Sequence, residues 1–158
     1  MSASLIFDLA PIGSLVAYSD GMPRPPARFA KKLAAWERRN GTGRLVRKEP
    51  ARERPTYVSP PCFTLHEGTF GQDGIILVSV MRTYGIDSDL QFRVVERPAI
   101  GQIRVLQTVG DDIELLHLAE SREAAELWLA RNGHDKAYID EVTADEVSAD
   151  AVEGRAAA

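Results

Sequence analysis

The alternation of apolar and polar positions divides the chain into a strand-rich middle flanked by helical segments. "SLIFDLAPIGSLVAYSDG" reads as one or two strands, broken at Pro11-Ile12-Gly13 and stopped by Ser19-Asp20-Gly21. "MPRPP" then stiffens the chain, and Pro26 suits the first turn of a helix over roughly Ala27–Arg39. Phe29, Leu33 and Trp36 fall at i, i+4 and i+7 there, an apolar stripe with Arg28, Lys31, Lys32 and Arg39 largely away from it. Asn40-Gly41 is a stop signal. The period then shortens to two. "GRLVRKE", "CFTLHE", "GIILVSVMRTY", "LQFRVVE", "IRVLQTV" and "DIELLHL" read as strand candidates, the last two joined by a "GDD" hairpin. Pro50, Pro55, Pro60 and Pro61 make the segment between the first two an extended edge or a loop. Helix returns at "REAAELWLARNG", capped by Ser121 and ended by Asn132-Gly133, with Ala124, Leu127 and Trp128 expected to be buried. "KAYIDEV" suits one more strand. Thr143 and Glu146 stand at capping-box spacing before a last short acidic helix.

The pattern predicts an α+β fold: a single antiparallel sheet of about five strands in a meander, two main helices packed on one face, and a short C-terminal acidic helix. Residues 1–143 form the domain, and 144–158 hold the acidic helix and a fraying tail. Neither repeats nor heptads occur.

Composition adds a limit and an asymmetry. A chain of 158 residues suits one domain. A single cysteine, Cys62, excludes an internal disulfide and a multi-cysteine zinc site. The N-terminus has no cationic start, Asp8 interrupts its apolar run, and no stretch approaches the ~18 apolar residues of a membrane span. A cytoplasmic protein with no membrane contact is expected. The net charge of -4 conceals a lengthwise dipole. Residues 1–60 carry 11 Lys and Arg against 5 Asp and Glu, whereas residues 111–158 carry 4 against 13. Such a layout bears on partners rather than on fold.

Enzymatic motifs are weak. His66-Glu67 begins like a zinc-protease motif, but Phe70 stands where the second histidine is required, so no metal site is expected. His66, His117 and His134 show no ligand spacing. Cys62 with His66 or His117 would make a thiol nucleophile and base. Cys62 and His66 share a strand face ~13 Å apart, which prevents direct contact. Asp87-Ser88-Asp89 reads as a turn. The glycines in "NGTG" and "GTFGQDG" lack the strand–loop–helix order of a phosphate or dinucleotide site, and no cofactor is expected.

The charged ends are more informative. Arg38, Arg39, Arg44, Arg47, Lys48, Arg52 and Arg54 place seven cations in eighteen residues, with Lys31 and Lys32 upstream. Cations at this density can neutralise phosphates, although Glu37, Glu49 and Glu53 dilute them and no aromatic residues interleave for stacking. At the other end, Asp140, Glu141, Asp145, Glu146 and Asp150 could imitate phosphate spacing and dock on a basic surface, or keep the tail solvated.

"FDLAPIGSLVAYSDG", "RFAKKLAAWERRNGTGRLVRK" and "FTLHEG" together resemble a group of small uncharacterised proteins of proteobacterial plasmids and integrative elements. The resemblance covers roughly residues 6–143. It implies a bacterial cytosol and a mobile-element setting, and it carries over no activity and no catalytic residue. The resulting expectation is a non-enzymatic accessory protein of a mobile genetic element that binds a macromolecule, nucleic acid or protein, through charged surfaces. One alternative is an inhibitor of a host defence complex, of the anti-CRISPR or anti-restriction kind, acting by docking or mimicry. The other is a small enzyme using Cys62 with a histidine. Edge strands near the proline-rich segment leave a homodimer open.

Overall fold

The computed structural model describes residues 1–73 and 75–147. The chain opens with a helix where a strand was expected. α1 (Ala3–Leu9) is capped by Ser2, whose hydroxyl accepts from the Leu5 amide. Ala3, Ile6 and Ala10 fall on one helical face and are buried. A short apolar run bounded by a serine and a proline fits either period, and packing of that face decides for helix. β1 (Leu15–Ser19) follows, burying Val16 and Tyr18. α2 (Ala30–Arg39) is shorter than expected and buries no residue. It runs through an extended Asn40 directly into β2 (Gly41–Glu49).

The proline-rich segment forms a separate two-residue hairpin, β3 (Arg52–Glu53) with β4 (Val58–Ser59). Two long strands come next, β5 (Cys62–Gln72) and β6 (Ile75–Gly85), then β7 (Gln91–Glu96), β8 (Ile103–Val109) and β9 (Asp112–Ala119). α3 (Arg122–Asn132) is capped by the Ser121 hydroxyl, which accepts from the Ala124 amide at 3.2 Å, and is ended by Gly133 in the left-handed region, φ 63°. β10 (Ala137–Glu141) and a helical turn at 144–147 complete the described chain. In that turn the Thr143 hydroxyl accepts from the Glu146 amide at 3.4 Å.

The predicted five-stranded meander with two main helices on one face is incorrect. One antiparallel sheet holds eight strands in the order β10-β8-β9-β2-β1-β7, with β5 added to β2 and β6 to β5. Among the described residues the helices are short; α3 packs on β8, β9 and β10, whereas α2 buries no residue. The error has a topological cause. β2 is a hub: β5 runs along one of its edges from Arg44↔His66 to Glu49↔Cys62. β1 takes the start of the other edge, and β9 touches it further on through Arg47↔Glu114. β1 in turn recruits β7. These pairings join strands distant in sequence, which alternation cannot reveal.

Three apolar clusters follow from this topology. The largest lies among α1, β1, β2, β5 and β7 and contains Ile6, Val16, Leu45, Phe63, Leu65 and Phe92. Tyr84 of β6 joins its aromatic part: the Phe63 and Phe92 rings meet edge to face at 5.3 Å, and Tyr84 and Phe92 do so at 5.4 Å. The second cluster packs α3 on β8, β9 and β10 through Ile103, Val105, Ala119 and Ala125. The inward stripe of α3 is therefore the buried Ala125 with the partly buried Trp128 and Leu129, and Ala124 and Leu127, both expected inside, are exposed. Val46, Leu106 and Leu115 form the third cluster and connect β2 to the β8–β9 pair.

Candidate functional site

The cationic residues divide into those the fold uses and those it leaves to solvent. Arg39 reaches Asp89 at 2.7 Å and Asp20 at 3.4 Å. Arg44 donates to the Gly13 carbonyl at 2.6 Å. Arg47 Nε lies 3.4 Å from the Glu49 carboxylate. The half-buried Lys48 stands over the Phe7 ring, 6.0 Å from its centroid. Arg52 pairs with the buried carboxylate of Asp112. The strand part of the basic arm is thus largely committed to structure.

Helix α2 is different. Arg28, Lys31, Lys32, Arg38 and Arg54 are exposed and make no ion pair among the described residues. Phe29 is 43% exposed, with the Arg28 guanidinium 4.9 Å and the Lys32 ammonium 5.3 Å from its ring centroid. The first turn of α2 has neither an acidic residue nor a side-chain cap, so its amide groups and partial positive charge have no side-chain partner there. The helix is anchored at its far end. Trp36 Nε1 donates to the Met22 carbonyl at 2.8 Å, and Asn40 donates to the Trp36 carbonyl and to Asp20. Arg82 holds the Arg38 carbonyl while also reaching Glu67 at 3.1 Å. Glu67 accepts from Tyr18 as well, and burial, then this hydrogen bond, raises the phenol's pKa.

The acidic end is smaller than its sequence implies. Asp140 and Glu146 both hold Arg104, a nearly buried guanidinium whose Nε donates to the Ile12 carbonyl at 2.8 Å. Burial opposes the charge on Arg104, but its hydrogen bonds to Glu146 and Asp140 outweigh it and raise the pKa. Glu141 and Asp145 remain exposed, and Asp150 lies outside the described residues. Among the described residues, the acidic segment therefore answers Arg104 on β8 and makes no ion pair with the basic arm.

Cys62 does not meet a histidine. Its thiol donates to Glu49 Oε2 at 3.1 Å. Burial and this carboxylate push its pKa up to about 11, the opposite of what a nucleophilic thiol needs. β5 has β2 and β6 as neighbours, so His117 on β9 does not approach Cys62.

Sequence spacing missed one convergence. His66, His117 and His134, with Trp128, Arg44 and Glu114, line a groove of about 560 Å³. The Trp128 indole lies between two imidazoles. His117 is 5.1 Å away at 3° and His134 is 5.4 Å away at 2°. Gly133 makes this possible, because its left-handed backbone ends α3 and lets the next residue stack on a tryptophan six positions back. Burial lowers the pKa of His117. Three histidines on a strand, a second strand and a post-helix loop carry no common spacing, so only the fold unites them. No group of three or more His, Cys, Asp or Glu among the described residues is placed to hold a metal ion. No helix among them is long and apolar enough to cross a membrane.

No curated protein and no solved structure matches the chain. A family model described as "Uncharacterised conserved protein UCP036055" does match, and it spans residues 1–146, from α1 through β10 into the final helical turn. With nearly the whole described fold inside that match, the chain belongs to this uncharacterised conserved family.

Proposed function

We propose that the protein is a non-enzymatic accessory factor of a mobile genetic element that binds nucleic acid along the exposed face of α2. The observation carrying the reading is that α2 buries no residue yet keeps Lys31, Lys32 and Arg38 outside every ion pair found among the described residues. A helix that contributes so little to the core has another use for its surface. Phe29 between Arg28 and Lys32 adds an aromatic face among cations, the combination on which a base can stack while phosphates are neutralised. The uncapped first turn favours an anion in the same place. The mobile-element setting rests on the resemblance of the sequence segments quoted above.

Fluorescence anisotropy with labelled single-stranded and duplex 20-mers tests the reading. Binding is expected at 50 mM salt, weakening at least tenfold by 200 mM, as counterion release requires for several phosphate contacts. The triple substitution Lys31→Glu, Lys32→Glu, Arg38→Glu should abolish it without lowering thermal stability. Absence of binding at low salt, or binding indifferent to the triple substitution, would refute it.

The histidine groove favours a second reading, a binding site for a small polar ligand. Its size and its mixture of aromatic and ionisable linings are those of ordinary ligand sites. A ligand seated there would shift the fluorescence of Trp128. Docking on a host defence complex draws less support, since Asp140 and Glu146 already have a partner in Arg104.

A further inference from the structure

The histidine groove takes part of its lining from one row of side chains that crosses the sheet. Leu15 on β1 is the register partner of Glu96 on β7 and of Arg44 on β2. Arg44 in turn partners His66 on β5, and His66 partners Met81 on β6. Opposed residues of antiparallel strands project from the same face. Glu96, Arg44, His66 and Met81 accordingly all line the groove. Their sequence neighbours Val16, Leu45 and Leu65 turn to the other face and into the largest apolar cluster.

The groove holds opposite charges that do not meet. Arg44 is half-buried, and its one side-chain acceptor among the described residues is the uncharged Gly13 carbonyl at 2.6 Å. A guanidinium has five N–H donors, so most of them have no protein acceptor there. Three carboxylates share the lining. Glu114 accepts from Gln107 at 3.2 Å and Glu120 from Gln102 at 3.1 Å, both uncharged donors. Glu96 is exposed, and no side-chain hydrogen bond engages it among the described residues. No ion pair among those residues joins Arg44 to any of the three. A cation and anions held in one concavity without pairing are left to be answered by a bound molecule.

On the reading of the groove as a ligand site, we propose that it binds a small zwitterion, a free α-amino acid or a dipeptide. The ligand carboxylate meets Arg44 beside His66, and the ligand ammonium meets Glu96. Charge selects this class. A simple anion would satisfy Arg44 but lie among three carboxylates, and a simple cation would leave the guanidinium unanswered. Size agrees. Two strand spacings put the backbones of Arg44 and Glu96 about 10 Å apart, and contacts of about 3 Å at each end leave roughly 4 Å to span. One or two residues cover that at ~3.5 Å each. Met81, Leu116, Leu118 and Trp128 offer apolar lining for the ligand's side chains, within a volume of about 560 Å³.

Two-dimensional NMR of the full chain, read at the Trp128 indole N–H, tests the inference. The probes are leucine, leucyl-leucine, N-acetyl-leucyl-leucine, which lacks the ammonium, and leucyl-leucinamide, which lacks the carboxylate. A saturable shift is expected with leucine or leucyl-leucine at millimolar concentration, the tighter of the two fixing the ligand's length. Both blocked dipeptides should bind at least tenfold more weakly than the free one. Glu96→Gln should erase the preference over the acetylated form, and Arg44→Gln the preference over the amide. Glu96 is exposed, so its variant decides the matter even where loss of the Gly13 contact unfolds Arg44→Gln. A blocked dipeptide that binds as tightly as the free one overturns the zwitterion while the groove stands as a ligand site. Silence from all four probes overturns both. Unchanged selectivity in Glu96→Gln overturns the assignment of the ammonium and with it the proposal.

Discussion

Arg104 and Asp140 are register partners across β8 and β10, and the Arg104 Nη1 donates to Asp140 Oδ2 at 3.0 Å. The same guanidinium holds Glu146 and the Ile12 carbonyl, so one nearly buried cation ties the loop before β1 to the final helical turn. Arg104→Ala should therefore destabilise the fold by about 3 kcal/mol, since it strips two carboxylates and a carbonyl of their donor at once. Arg104→Lys should recover little of the loss, because an ammonium cannot span three acceptors in one plane. Urea denaturation with a constant m-value checks both.

Stability should fall on mild acidification through His117. Burial lowers its pKa in the folded state, so the unfolded chain, titrating near the ordinary ~6.5, binds the proton first. Stability from this group is complete above pH ~6.5 and is lost as pH falls toward the lowered folded value. His117→Gln should flatten the change in melting temperature between pH 7.5 and 5 relative to the parent. A parent and variant with parallel pH profiles would contradict the assignment.

Cys62 should be a slow thiol. With its pKa near 11, the thiolate fraction at pH 8 is roughly a hundredfold below that of a free cysteine near 8.5. Alkylation by iodoacetamide should be slower to match, and Glu49→Gln should accelerate it by removing the neighbouring negative charge. Cys62→Ala is expected to leave any activity of the protein unchanged.

Two apolar residues, one in α1 and one at the start of α2, should behave oppositely. Ile6→Ala empties a fully buried site and should cost about 3 kcal/mol. Phe29→Ala touches no core and should change stability by less than about 0.5 kcal/mol. The second substitution should still weaken nucleic-acid binding severalfold. Equal effects on stability would show that α2 contributes to the core.

What the sequence revealed was local. Ser121, Gly133 and Thr143 announced helix ends by their own side-chain and backbone chemistry, and the alternation of Phe63 and Leu65 against His66 placed one face inside. The N-terminal run misled because Ala3, Ile6 and Ala10 only become a face once something packs against them. α2 misled in reverse, for the stripe of Phe29, Leu33 and Trp36 is only half covered, with Phe29 exposed and no residue of the helix buried. Arg44 and Arg52 looked free because their partners, the Gly13 carbonyl and Asp112, lie far along the chain. The histidine groove was illegible for the same reason.

The position of β2 sets the difficulty of assembling the molecule. The β5–β6 and β8–β9 hairpins close between neighbours in sequence and can form early. The contacts of Arg47 with Glu114 and of Val16 with Val94 close long loops, whose entropy is lost before the central clusters compensate. Refolding should consequently run on the slow timescale of all-β domains, with the strands that meet at β2 left unpaired until the centre locks.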